Sequence, residues 1–278
     1  MKPLNSKIYR WYRTIASAAP SYLARIMRSR RTQLYCVGTA KSGTNSIRNI
    51  FDKSVRSAHE KDSEVLIKKI IDVANGKIQH RDLISYVKKR DKHRYLEVDS
   101  SQLNFFLLDI LLQEFPLARY ILTIRDCYSW LDSFINHSLS RTGPPEWRSF
   151  RDFRFSSQNF THPKEEHILK QNNLYTLDGY LSYWAMHNKR VLSTIPDSKL
   201  FIVKTNEIPD YMYSIAKFAG LPPDCIAPEG AHSFKNPKKY GILRQINSEH
   251  IEEKVHRHCA SLMREFFPNI RSLSDAGI

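Results

Sequence analysis

Five short runs with β-strand character alternate with helical stretches, and that alternation limits what this chain can fold into. Gln33–Val37, Ser54–His59, Arg94–Val98, Arg119–Arg125 and Lys199–Val203 read as strands. The run "RYILTIR", Arg119–Arg125, is apolar on both faces between its charged ends, as a strand buried inside a sheet must be. Helices are predicted over Ser42–Lys53, Asp62–Ala74, Gln102–Phe115, Cys127–Leu139, Leu174–Ile195, Tyr211–Ala219 and Ile246–Phe267. Asn75-Gly76, Pro116 and the stretch Gly220-Leu221-Pro222-Pro223 stop three of them. Strands alternating with helices predict an α/β fold, a single domain with a central parallel β-sheet flanked by helices. No repeat or linker interrupts residues 33–278. Residues 141–170 are polar, aromatic and weakly periodic, so they read as an insertion. Its Trp147, Phe150, Phe153 and Phe155 suit either a lid over a substrate or a packed surface loop. Pro228–Arg244 reads as a basic loop.

The charge narrows the partners. Lys and Arg number 43 against 28 Asp and Glu, a formal net charge of +15, so an anionic ligand or surface is expected. No apolar run approaches the roughly 20 residues that span a bilayer. The four cysteines are scattered, with no C-x-x-C pair, which suits a reduced interior and a cytoplasmic location. Residues 1–31 carry eight of the cations and no acid, with Trp11, Tyr12, Ile15, Leu23, Ile26 and Met27 interleaved. They lack the continuous apolar core of a secretory signal. Three readings stand: a basic amphipathic segment touching an anionic membrane at its inner face, a transit peptide, or an N-terminal helix packed on its own domain with a solvated basic face.

Chemistry enters at "YCVGTAKSGTNSIRNIF", Tyr35–Phe51. A strand runs into a glycine-bearing loop and then a helix. Such a loop offers backbone N–H groups and a positive helix end to an anion. Gly38 and Gly43 permit tight turns, Lys41 adds a charge, and Ser42 and Thr44 add hydroxyls. The order differs from the triphosphate loop G-x-x-x-x-G-K-[ST], because Lys41 precedes the second glycine. A second constellation lies in "ILTIRDCYSWLDSF". It places Arg125 at the end of a buried strand and Ser133 about two helical turns later, where a guanidinium fork and a hydroxyl suit a second phosphate.

Together "AKSGTNS" and "RDCYSWLDS" resemble the sulfotransferases that use 3′-phosphoadenosine 5′-phosphosulfate (PAPS). In that family a loop like P-K-S-G-T-[TS] binds the 5′-phosphosulfate, and a later R-x(7)-S binds the 3′-phosphate. The similarity runs from Leu34 to Phe267 and is closest to the bacterial and carbohydrate-modifying branches. It implies the P-loop-like sulfotransferase fold, with PAPS as donor and PAP as product, and no metal. Lys41, Ser42, Gly43, Thr44, Asn45, Ser46, Arg125 and Ser133 would bind the cofactor. The stretch "HSFKNPKKYGILRQI" occupies the place of the family's closing loop, which brings in Lys235, Lys238, Lys239, Tyr240 and Arg244. Three positions depart from the pattern: Ala40 for proline, Asn45 for threonine or serine, and Cys127 where proline often follows Arg-Asp.

The resemblance also implies a mechanism. An acceptor hydroxyl or amine, on a carbohydrate, glycolipid or small metabolite, attacks sulfur in line with the departing phosphate. Lys41 would stabilise the leaving oxygen. The proton acceptor is left open among Glu97, Asp99 and His59: the carbohydrate branch uses a glutamate at the end of the strand before the 3′-phosphate strand, the cytosolic branch a histidine. Two other readings are weighed. A P-loop kinase would need a lysine after the second glycine and an acidic Mg²⁺ ligand. A nucleic-acid-binding protein would fit the charge alone, with no helix-turn-helix, zinc-finger or RNP-like pattern to support it, and none is expected.

Overall fold

The computed structural model describes residues 29–141, 143–155, 160–232 and 238–278. Five strands form one sheet: β1 (Leu34–Cys36), β2 (Ser57–His59), β3 (Val98–Ser100), β4 (Arg119–Ile124) and β5 (Leu200–Lys204), in the order β2-β3-β1-β4-β5. β1 pairs in parallel with β3 and β4, and β2 with β3. After β1 the chain passes to one edge of the sheet, and after β3 it crosses to the other side of β1. The connections therefore diverge between β1 and β4, and in an open α/β sheet ligands bind beyond the strand ends at such a point. Helices α1 (Thr44–Asn49), α2 (Ser63–Ala74), α3 (His80–Arg94) and α4 (Leu108–Glu114) lie between β1 and β4 in sequence. Next come α5 (Cys127–Ser140), α6 (Pro145–Phe155), α7 (His167–Gln171) and α8 (Leu177–Thr194), then α9 (Ile208–Ala219) and α10 (Ser248–Phe266) around β5 and the C-terminal stretch.

Two compact units emerge. The first runs to Gly38 and takes in Gly43–Thr123 and the stretch after Thr194; it holds the sheet. Its core joins Leu34 and Cys36 of β1, Ile47 of α1, Val98 of β3, Ile121 of β4 and Val203 of β5 with Ile208, Ile215 and Ala216 of α9. The second contains Thr39–Ser42, Ile124–Ser193 and the C-terminal residues. It is built on aromatic rings: Phe134 meets Phe155 at 5.2 Å and Tyr180 at 5.7 Å, and Phe155 meets Tyr183 at 5.4 Å. All four cysteines are buried free thiols.

The structure corrects several sequence expectations. The described part of residues 141–170 holds helices where the sequence is only weakly periodic: α6, a short 3₁₀ turn at Lys164–Glu166 and α7. The core-facing side of α6 carries Phe150, Arg154 and Phe155, and the buried guanidinium of Arg154 stands over four rings at 4.5–5.5 Å. A cation in a core position masks the apolar period. Helix α3, which sequence periodicity did not mark, has only Leu83 and Val87 buried. Because α3 continues to Arg94 and Tyr95 turns left-handed (φ 50°), β3 begins at Val98, four residues later than predicted. The predicted helix Gln102–Phe115 begins as a 3₁₀ helix to Leu107. Of the basic N-terminal segment only residues 29–31 are described, and they end in ion pairs: Arg30 with Asp91 at 2.9 Å and Arg31 with Glu97 at 2.6 Å. The expected membrane contact falls outside the described residues. Among those residues no helix is long and apolar enough to cross a membrane.

The glycine that matters is Gly43, which precedes α1. Its φ is 104°, and a Cβ there would lie 2.6 Å from Ile208 Cδ1. Gly43→Ala should therefore destabilise the protein by about 1–3 kcal/mol, the usual range for a strained backbone position. Urea unfolding measures this; an unchanged midpoint would show that the loop relaxes without strain.

Candidate active site

The loop after β1 is held from outside. Val37 N–H donates to Ile121 O at 2.9 Å and carries the β1–β4 pairing to the loop's edge. Ser42 N–H and Oγ both donate to Thr39 O, at 3.3 and 2.7 Å. Trp130 Nε1 of α5 donates to Ala40 O at 2.7 Å, and an Arg125 NH1 proton goes to Lys41 O at 3.3 Å. Three successive carbonyls are thus engaged. A trans peptide points its N–H opposite its C=O, so fixing the Thr39 and Ala40 carbonyls turns the Ala40 and Lys41 N–H groups the other way. Lys41 sits at φ 66°, a conformation that costs about 1–3 kcal/mol outside glycine and clusters at functional sites. Sequence reasoning assigned the turn to Gly38 and Gly43; the left-handed residues are Lys41 and Gly43.

Ser42 is wholly buried, and its hydroxyl donates to Thr39 O within the loop. Asn45 and Ser46 are half-buried on α1.

Arg125 leaves the end of β4 and is fixed by its neighbours. Its Nε–H donates to Ser129 Oγ at 2.8 Å, and its carbonyl accepts Trp184 Nε1 at 3.2 Å. Asp126 caps α5, accepting Ser129 N–H at 2.8 Å and bonding the same hydroxyl. Asp126 therefore holds the serine that holds the arginine. Sequence reasoning missed Ser129; the signal was an Asp-x-x-Ser pair at a helix start. Ser133 lies one turn beyond Ser129 on the same face, half-buried, two turns from Arg125 as predicted.

The electrostatics of this second unit are those of crowded cations. Burial, then Arg125 and Arg141, bring Lys41 down to about 8. Burial also lowers Arg125. His137 on α5 is brought down to about 4 by burial, then Lys41, Arg151 and Arg141. Positive groups held together out of water disfavour one another's charge until an anion arrives.

In the first unit, Thr44 Oγ1 lies 3.1 Å from His59 Nε2 at the C-terminal end of β2. Burial lowers the His59 pKa against the pull of Glu60 and Asp99, so its imidazole is a neutral base at physiological pH. Ser100 Oγ donates to Thr44 O at 2.5 Å, and Asn104 Nδ2 ties Cys36 O to Asp99 O at 3.1 and 2.9 Å. These bonds lock the ends of β1 and β3 under the loop.

The carboxylate candidates are placed elsewhere. Glu97 is 1% exposed and stands before β3, at its N-terminal end, the opposite end from the βα loops. Both of its oxygens take Arg31, at 2.6 and 2.9 Å, and Oε2 also accepts Arg56 N–H at 3.0 Å. Its expected position rested on a strand ending at Val98; β3 starts there. Asp99 is inside β3 and is held by the buried Arg90 at 2.5 Å. Both carboxylates are committed to ion pairs within the fold.

Of the closing-loop cations, Lys235 lies outside the described residues. Lys238 and Lys239 are exposed, and Lys238 Nζ stands 4.7 Å over the Tyr240 ring. Tyr240 N–H donates to Asn136 Oδ1 at 2.8 Å, one turn along α5 from Ser133. Arg244 is exposed in a 3₁₀ turn. Among the described residues no group of three His, Cys, Asp or Glu could hold a metal.

The profile of the sulfotransferase domain matches residues 33–220, about two thirds of the chain, which therefore belongs to that family. Among solved structures, the sulfotransferase from Alicyclobacillus acidocaldarius is similar at 13% identity with a TM-score of 0.46, covering 84% of this chain and 95% of that one. No curated protein matches.

Glu97→Gln should act on stability. Removing one partner of a buried ion pair costs about 3–5 kcal/mol, so the urea midpoint should fall clearly. A variant as stable as the parent would contradict the structural role.

Proposed function

We propose that this sulfotransferase takes its sulfuryl group from PAPS and passes it to a hydroxyl or amine of an acceptor, a carbohydrate, glycolipid or small metabolite. The observation that carries this reading is the pair of half-buried cations, Lys41 and Arg125, joined through the Lys41 carbonyl on a strained loop. Cations that disfavour one another's charge fit the anions of a nucleoside bisphosphate. PAPS supplies an activated sulfuryl group on a phosphate leaving group. Lys41 would stabilise charge on the leaving oxygen, and the N–H groups of the Ala40–Lys41 turn would hold the phosphosulfate. Arg125 and Ser133 would take the 3′-phosphate, with Lys238, Lys239 and Arg244 closing over it. His59 is the base this reading favours: its imidazole is neutral and already touches the loop hydroxyl of Thr44.

A thermal-shift series tests the donor. PAP at about 100 times its Kd should stabilise the protein by roughly 2.7 kcal/mol, and Mg·ATP far less. Arg125→Ala should weaken PAP by about 1.5–3 kcal/mol, Ser133→Ala by less. A larger shift with Mg·ATP, or none with PAP, would overturn the assignment.

Kinetics test the base. Since His59 must be neutral, kcat should fall only as pH drops through its lowered pKa, below the ordinary value of about 6.5. His59→Asn should cut kcat about 10²–10⁴-fold with PAP affinity retained. Full turnover in that variant would remove His59 from the role.

A further inference from the structure

Helix α5 carries a polar stripe that begins at the 3′-phosphate candidate. Ser129, Ser133, Asn136, His137 and Ser140 follow Arg125 at spacings of three or four, so they share one side of the helix. Most of the stripe is accounted for. Ser129 holds Arg125, and Asn136 holds the backbone of Tyr240. His137 is not: its Nδ1 is buried with no hydrogen-bond partner. A buried polar atom left unpaired is costly, and a ligand is one reason for keeping it.

Arg141 follows His137 at a spacing of four. The Arg154 guanidinium of α6 stands 5.5 Å over Phe134 of α5, so Arg151, one turn before Arg154, comes to the same stretch of α5. Lys41, Arg151 and Arg141 are the charges that act on His137. Arg151 lies on α6, three residues before the Arg154 that four aromatic rings fix in place. It is half-buried, yet it makes no ion pair or hydrogen bond to any described residue. All 28 acidic residues of the chain lie in the described segments, so no carboxylate of the protein is available to close it. Burial and Arg154 both press against its charge. The donor's two anionic ends are already served by Lys41 with its loop and by Arg125 with Ser133. Among the described residues, that leaves the Arg151 guanidinium and the His137 Nδ1 without a hydrogen-bond partner.

We infer that Arg151 and His137, supported by Arg141, form an acceptor subsite for an anionic group, so that the preferred acceptor carries its own carboxylate or sulfate beside the hydroxyl or amine to be modified. This rests on the donor reading above. A guanidinium fork takes two oxygens of such a group, and a neutral imidazole adds one N–H from its protonated nitrogen.

The test uses full-length protein saturated with PAP. Methyl β-D-glucuronide and methyl β-D-glucoside are titrated separately while the ring signals of His137 are followed by NMR, in wild type, Arg151→Gln and Arg151→Lys. The glucuronide should move the His137 signals saturably and the glucoside should not. Arg151→Gln should weaken the glucuronide at least tenfold, Arg151→Lys by less, and both should bind PAP within twofold of wild type, which also shows that they are folded. Equal responses to the two sugars, or no response to the glucuronide, would overturn the inference. So would a loss of PAP affinity in both variants, which would put Arg151 at the donor instead. If wild-type protein fails to bind PAP, the donor reading falls first and takes this inference with it.

Discussion

Arg125 and Lys41 set the terms for the rest of the second unit. Each is a cation held partly out of water: burial, then Arg125 and Arg141, lower Lys41, while burial lowers Arg125 against the pull of Asp126 and Asp132. Such a pair stays in place only if its surroundings over-determine it. Asp126 caps α5 and grips Ser129; Ser129 grips Arg125; Arg125 and Trp130 grip the loop carbonyls. The aromatic cluster behind α5 supplies the burial that keeps that helix from shifting. Within the first unit, Ser100 bonds the Thr44 carbonyl and Asn104 ties Cys36 O to Asp99 O. The left-handed Lys41 is the visible cost of this arrangement.

Much of this could be read from the sequence, for physical reasons. β1 and β4 announce themselves because a parallel strand buried on both faces needs an unbroken apolar run. Lys41, Thr44, Arg125 and Ser133 stand out because phosphate binding demands a loop, a helix start and donors at fixed spacing. What escaped was set by tertiary charge. Helix α3 is polar almost throughout, and its start is marked only by Asp82 reaching back to Gln79 N–H at 3.0 Å. Its Arg90 and Arg94 pair with Asp99 and Asp62, contacts that no local pattern encodes. Missing that helix moved β3, and the moved strand put Glu97 at the wrong end of the sheet. Similarly, Arg154 sits where periodicity expects an apolar side chain, so α6 read as a loop.

The ionised residues therefore fall into two groups. Glu97–Arg31 and Asp62–Arg94 are closed pairs that join segments distant in sequence, and Asp99–Arg90 closes β3 onto the helix before it. Lys41 and Arg125 form the second group: Arg125 donates to the Lys41 carbonyl at 3.3 Å, and burial lowers the pKa of both. An anionic donor bound there, as proposed above, would offset the repulsion that lowers Lys41.

The most direct measurement is the ionisation of Lys41 itself, followed by NMR of the isotopically labelled ammonium group with and without PAP. Lys41 titrates at about 8 in the free protein if the cation cluster is as described. PAP binding should move it upward, towards the ordinary lysine value of about 10.4, because a nearby anion favours the charged form. A lysine that titrates at its ordinary value in the free protein, and does not respond to PAP, would contradict the account.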